Sequence, residues 1–223
     1  MGEARYDEVA EWYDSEFATS KLGLSAQRIV LRLLGDGPGR LLDLGCGGGA
    51  NAVALADRGW TVTGVDVSED MLRRAAAKGV RTVHTDASAL PFEDGSFDAA
   101  ISVFTHTDVD DFTNLVREVV RVLRPGSPFV YVGAHPCFVG PHSVYDVERK
   151  APELHPDWYR KTGRYDEAPG IWRGSGVRIR VGASHLPLGL FLQTFLDAGL
   201  RLERIEEPAE REYSFALASR WRR

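Results

Sequence analysis

The chain has 223 residues, of which 43% are hydrophobic and 26% charged, with a formal net charge of −5. This is ordinary globular composition and excludes disordered, collagen-like and coiled-coil chains. No apolar run approaches the roughly 18 residues of a membrane span, and the acidic balance argues against nucleic acid, whose binding rests on neutralising phosphates.

The opening residues, MGEARYDEV, lack the basic start and apolar stretch of a signal peptide, so a cytoplasmic protein is expected. Two cysteines, Cys46 and Cys137, with no CxxC pair, suggest neither a disulfide framework nor a zinc site.

In chain order, residues 5–34 read as helix in two pieces broken near Gly23. Val9, Trp12 and Tyr13 share one face of the first, and Ile29, Val30, Leu33 and Leu34 one face of the second. The turn-rich run Gly35-Asp-Gly-Pro-Gly39 ends that pattern. From Arg40, short apolar strands (40–44, 61–66, 80–84, 97–103 and 128–133) alternate with amphipathic helices (about 50–58, 68–78 and 110–123). The stretch 134–186, rich in Gly, Pro, His and aromatic residues, breaks the rhythm. A segment of that length reads as a functional lid or a small subdomain of its own. A helix at 187–198 and strands at 200–206 and 213–221 complete the chain.

Strands alternating with helices mean βαβ units and a parallel sheet covered on both faces. The expected fold is α/β and Rossmann-like, a seven-stranded, mostly parallel sheet with an antiparallel last strand. One domain is expected, made of an N-terminal helical lid (1–36), a cofactor-binding half (37–133), a substrate-lid insertion after strand five (134–186), and a C-terminal helix with two strands (187–223).

Strand one ends in Asp43-Leu-Gly45-Cys-Gly47-Gly48-Gly49 and runs straight into a helix. Glycines there permit a tight turn and a close backbone approach to a ligand. The second strand ends in Val65-Asp66-Val67, which sets a carboxylate beside the same crevice, and Asp86-Ala87 follows the third. The glycines alone are ambiguous. Gly45-x-Gly47-x-x-Ala50 fits the loose dinucleotide pattern, and Asp66 suits the ribose of NAD equally well. Against a dinucleotide stands Asp43, an acid that disfavours a nearby pyrophosphate but suits an ammonium group.

The segments LLDLGCGGGA, VTGVDVSEDML, DASALPFEDGSFDAAIS and REVVRVLRPGSPFVYV, which together cover residues 40–133, resemble the class I S-adenosylmethionine-dependent methyltransferases, small-molecule type, with their D-x-G-x-G-x-G loop. The resemblance implies S-adenosylmethionine as cofactor and S-adenosylhomocysteine as its product. It also implies Asp43 and the loop (Gly45, Cys46, Gly47, Gly49) around the methionine part, Asp66 and Val67 at the ribose, and Asp86 and Ala87 at the adenine. Tyr13 becomes the lid tyrosine that closes over the donor. One departure is Gly126-Ser127, where the family more often has two glycines.

Methyl transfer mainly requires alignment, with a general base where the acceptor is a hydroxyl. His106 and His135 follow strands four and five and are the candidate catalytic residues. Phe104, His142, Trp158, Tyr165 and Trp172 are the candidate acceptor contacts. His142, His155 and His185 are too widely spaced for a metal site, and no metal is expected. The expected function is methyl transfer to a small-molecule acceptor, an oxygen of a secondary metabolite, with no nucleic-acid or membrane partner, by a monomer or homodimer. Three alternatives stand beside it: a methyltransferase-fold enzyme of cyclisation or pericyclic rearrangement with the donor bound but not consumed, a non-catalytic binding module, and an NAD(P) oxidoreductase.

Overall fold

The computed structural model describes residues 5–146, 148–172, 181–208 and 213–223. A 3-10 turn (Asp7–Val9), one helical turn α1 (Ala10–Trp12) and a π turn (Tyr13–Phe17) lead into α2 (Lys21–Leu34). The break in the helical stretch falls at residues 18–20 and not near Gly23. Ser20 caps α2 by accepting the Gly23 N–H at 3.1 Å. A Cβ at position 23 would stand 2.5 Å from the Phe17 carbonyl oxygen, so Gly23 lets the two pieces pack closely.

The alternating part follows as β1 (Gly39–Leu44), α3 (Ala50–Ala56), β2 (Trp60–Asp66), α4 (Glu69–Ala77), β3 (Arg81–His84), β4 (Ala99–Val103), α5 (Phe112–Val122) and β5 (Pro128–Ala134). Between β5 and the last helix lie two small antiparallel pairs, β6 (Ser143–Asp146) with β7 (Ala151–Leu154), and β8 (Gly163–Tyr165) with β9 (Ala183–His185). Two four-residue helices, α6 (Pro156–Tyr159) and α7 (Pro169–Trp172), accompany them. The chain closes with α8 (Leu188–Asp197), β10 (Arg201–Glu206) and β11 (Ala216–Arg222).

The seven-stranded sheet has the order β10-β11-β5-β4-β1-β2-β3, and β11 runs antiparallel to both neighbours. Side chains alternate between its faces. In β5, Phe129 and Tyr131 enter one core while Val130 and Val132 enter the other. The central strands, buried on both faces, are largely apolar, as in other parallel sheets, with Asp43, Thr63 and Ser102 as buried polar exceptions. On one side α5 presents Phe112, Leu115, Val116, Val119 and Val122 at helical spacing. Its cap, Asp111, accepts the Asn114 N–H at 2.9 Å. On the other side α2 presents Ala26, Ile29, Val30 and Leu33. Each large apolar side chain so buried contributes about 1.5–3 kcal/mol.

The order reverses between β1 and β4, the switch point at which open α/β sheets bind ligands. Among the described residues, no helix is long and apolar enough to cross a membrane.

Candidate cofactor and acceptor site

Two cavities open at the carboxyl ends of the central strands. The first, about 180 Å³, is lined by Gly45 after β1, Val65, Asp66 and Val67 at the end of β2, Asp86, Ala87 and Ser88 after β3, and Val103, Phe104 and Thr105 at the end of β4. The second holds about 1070 Å³ and is lined largely by apolar and aromatic side chains, among them Phe17, Leu22, Phe138, Tyr145, Tyr165 and Phe215. Tyr13 and Phe104 line both.

The glycine loop takes its shape from residues that no other side chain suits. Gly45 has φ +66°, and a Cβ there would stand 2.9 Å from Thr105 Oγ1. Gly49 has φ +81° and caps the start of α3 against Ala75, where a Cβ would come within 3.0 Å of the Ala75 Cβ. The Gly47 N–H donates to Asp66 Oδ2 at 2.9 Å, and the Ser68 N–H donates to Oδ1 at 3.0 Å. Burial raises the Asp66 pKa, and these backbone donors partly oppose the rise. Asp86 sits similarly, its Oδ1 accepting from the Ser88 N–H and Oγ at 2.9 and 2.8 Å.

Asp43 lies behind the loop, 1% exposed, and lines neither cavity. Its Oδ2 is buried with no hydrogen-bond partner among the described residues. Burial first, and then repulsion from Asp66, pushes its pKa up to about 7. A buried carboxylate oxygen left unpaired is costly in isolation and is the expected mark of a cationic ligand's counter-charge. The fit to an ammonium-bearing cofactor therefore rests on an observation of this chain. Cys46, Gly47 and Gly49 shape the loop without lining the cavities. A Cβ at Gly64 on β2 would stand 2.7 Å from the Cys46 Sγ, and burial pushes that thiol's pKa up, so Cys46 packs as a small apolar group.

The N-terminal segment closes over this site. The Tyr6 hydroxyl donates to Asp108 at 3.0 Å, and Arg5 meets Asp110 at 3.2 Å. Lys78 donates to Asp14 at 2.6 Å and to the Gly48 carbonyl at 2.8 Å, tying segment, loop and α4 together. Tyr6, Tyr13, Phe17 and Phe104 form a continuous aromatic wall, with ring centroids 5.2, 4.7 and 5.4 Å apart in succession. Phe104 holds φ +56°, a conformation that costs a non-glycine residue free energy and that clusters at functional sites.

Residues 42–131 match the family model described as "Methyltransferase domain". A solved structure of an S-adenosylmethionine-dependent methyltransferase from Mesorhizobium loti superimposes with a TM-score of 0.74 at 25% identity, covering 92% of this chain and 99% of that one. Residues 42–131 are a class I S-adenosylmethionine-dependent methyltransferase domain. Among curated relatives of this methyltransferase domain, a fatty-acid O-methyltransferase from Mycolicibacterium smegmatis is 41% identical over 105 residues, 44% of this chain and 38% of the relative. A demethylmenaquinone methyltransferase from Clavibacter sepedonicus is 36% identical over 138 residues, 57% of this chain and 55% of the relative. The chain thus spans about half or less of the length of these two relatives.

The structure brings Tyr13, Gly45, Asp66, Val67, Asp86, Ala87 and Phe104 together around the first cavity, and Tyr165 lines the second. It separates the two candidate bases from both. His106 is buried among Phe112, Tyr131 and Phe191, with its Nδ1 hydrogen-bonded to the Tyr131 hydroxyl. His135 is 2% exposed, its Nε2 2.7 Å from Glu207 and its Nδ1 accepting the Cys137 N–H at 3.1 Å. None of the chain's six histidines lines either cavity.

His142 packs in the insertion against Tyr159 and His185, with Nε2 2.9 Å from the Cys137 carbonyl, and burial lowers its pKa. Trp158 lies under the Lys161 ammonium at 3.3 Å, outside both linings. The Trp172 side chain lies outside the described residues. Sequence reasoning missed Tyr6, Asp108 and Thr105 at the first cavity and Phe17, Phe138, Tyr145 and Phe215 at the second. The aromatic spacing Tyr6, Tyr13, Phe17 was the available signal for the wall.

Proposed function

We propose that the chain transfers the methyl group of S-adenosylmethionine to a small, largely apolar acceptor held in the larger cavity. The observation that carries this reading is the wall of Tyr13 and Phe104, common to an acid-lined cavity at the switch point and to a second, aromatic cavity. When bound, S-adenosylmethionine supplies a methyl group already activated on a sulfonium.

The chain's own work is then to hold and align. Asp43, behind the loop, supplies a buried counter-charge to the ammonium group of the methionine part, the loop from Gly45 to Gly49 gives its backbone a close approach, and Asp66 accepts from the ribose hydroxyls. Asp86, with Ala87, borders the adenine. Tyr6 and Tyr13 cover the donor and exclude water. Apolar side chains around the second cavity fix the acceptor's pose, which is where alignment contributes most to rate. With no histidine in either lining, alignment carries the reaction and a histidine base is not part of the proposal.

The relatives named for a fatty acid and for demethylmenaquinone support an apolar, lipid-like acceptor. The rearrangement alternative has no observation of its own in the structure. Incubation with methyl-labelled S-adenosylmethionine and a panel of apolar alcohols, phenols, quinols and acids tests the proposal. Labelled product with equimolar S-adenosylhomocysteine supports it, and product without S-adenosylhomocysteine overturns it in favour of a reaction that does not consume the donor.

A further inference from the structure

The strand β10 ends the seven-stranded sheet, and among the described residues no strand pairs with its outer edge. Its sequence, Arg201-Leu-Glu-Arg-Ile-Glu206, is its own complement when laid antiparallel to a copy of itself. Arg201 then meets the partner's Glu206, Leu202 meets the partner's Ile205, and Glu203 meets the partner's Arg204.

Such pairs form only where the opposed residues share a face of the sheet. In a regular strand Leu202 and Ile205 would point to opposite faces. A bulge changes this, because the ladder to β11 shifts by one residue between Leu202 and Arg204. Leu202 stands opposite Trp221 and Ile205 opposite Ser219, on the face covered by α8. Arg201, Arg204 and Glu206 stand opposite Arg222, Arg220 and Ala218, on the face covered by α2. Glu203 joins this second group, accepting from Arg220 Nε at 2.9 Å and from Arg222 Nε at 2.8 Å. The bulge thus gathers the two apolar side chains on one face and the four charged ones on the other. All three pairs of the antiparallel register match in face.

Leu202 is 37% exposed and Ile205 43%, and on α8, which covers their face, Leu190 and Leu196 are exposed as well. Charged side chains on an edge strand ordinarily prevent pairing. Here the order of their signs admits one register and blocks its neighbours. A slip of one residue either way sets Glu203 opposite its own copy or Arg204 opposite its own copy, and moves Leu202 and Ile205 against charges.

We propose that two copies of the chain associate through β10, antiparallel about a two-fold axis between Glu203 and Arg204, into one continuous sheet. Residues 201–206 line neither cavity, so this association stands apart from the reaction. An interface built on one edge strand belongs to the small, reversible class.

Sedimentation equilibrium of the full chain tests the proposal. From about 5 to about 300 µM the wild type should follow a reversible monomer–dimer equilibrium. Ile205→Lys sets a cation in both apolar pairs and should stay monomeric over that range. Arg201→Glu and Glu206→Arg each turn two attractive pairs into repulsive ones, and each alone should raise the dissociation constant about tenfold or more. An equimolar mixture of these two variants restores both pairs with their signs exchanged and should dimerise as the wild type does.

Arg201 and Ile205 are exposed, so their variants should fold, and far-ultraviolet circular dichroism verifies that. Glu206→Arg gives up bonds from Arg32 and Arg204 and is checked in the same way. Ile205→Lys and Arg201→Glu decide the matter without it if it does not fold. A wild type that is monomeric throughout, a dimer that survives Ile205→Lys or Arg201→Glu, or a mixture of the two folded charge variants that stays monomeric overturns the proposal.

Discussion

The backbone N–H of Gly47 donates to Oδ2 of Asp66 across 2.9 Å, which makes the glycine loop after β1 and the acid ending β2 one unit. Asp66 therefore has two tasks, holding the loop in its ligand-ready shape and presenting a carboxylate to the first cavity. Asp66→Ala should abolish S-adenosylhomocysteine binding at millimolar concentration. Asp66→Asn should retain the loop in part and bind about 10- to 100-fold more weakly, since a charge-assisted hydrogen bond is worth about 1.5–3 kcal/mol. Calorimetry of both variants checks this, and wild-type affinity in Asp66→Asn would remove the carboxylate from the site.

Asp43 makes the apo protein sensitive to pH in a defined direction. Its folded pKa, about 7, lies above the ordinary 3.8, so the folded state holds a proton that the unfolded state has lost. The buried group thus costs nothing below about pH 4. Stability falls as pH rises towards 7 and levels off above it. Three pKa units correspond to a cost on the order of 4 kcal/mol at neutral pH and above. Asp43→Asn removes that titration. Relative to wild type, it should gain on the order of 2 kcal/mol more at pH 8 than at pH 5 in urea unfolding. Binding of an ammonium-bearing ligand favours the ionised carboxylate. S-adenosylhomocysteine affinity should therefore rise between pH 6 and 7 in the wild type and not in Asp43→Asn.

His106 sits in the core in this structure. It is 3% exposed, and its ring fills the space between Phe112, Tyr131 and Phe191. His106→Ala should leave a cavity and remove the hydrogen bond to the Tyr131 hydroxyl, with a loss of about 2–4 kcal/mol in chemical denaturation. S-adenosylhomocysteine affinity should stay within about twofold of wild type, because His106 lines neither cavity. A variant of full stability with abolished transfer would return His106 to the chemistry.

The lining of the first cavity was legible in the sequence because its parts are local. Each lies at or just past the carboxyl end of a strand, where the apolar run gives way to the glycine loop and α3 after Asp43, to α4 after Asp66 and to a turn after Asp86. Side-chain direction just beyond a strand is not marked in that way. His106 lies three residues past the end of β4, after Phe104 has entered the left-handed region, and periodicity no longer says whether such a residue faces crevice or core. The second cavity was less legible still. Phe17, Phe138, Tyr145 and Phe215 come from four separate segments, and only the folded chain puts them in one lining. Gly23 misled for a related reason, since a glycine inside a helix marks close packing as readily as a break.

Tyr6 and Tyr13 of the N-terminal segment line the first cavity, so the segment's position bears on how a ligand enters and leaves it. Lys78 is one of the contacts that hold the segment in place, bonded at once to Asp14 of the segment and to the Gly48 carbonyl of the loop. The bond to Asp14 is half-exposed, with side chains 39% and 15% accessible, so its worth is modest. Lys78→Gln should weaken S-adenosylhomocysteine binding about two- to fivefold, with the change in the dissociation rate because the closed state loses a latch and the donor contacts stay intact. Stopped-flow displacement resolves the two rates. An unchanged dissociation rate with slower association would mean that Lys78 steers the ligand in and does not hold the segment shut.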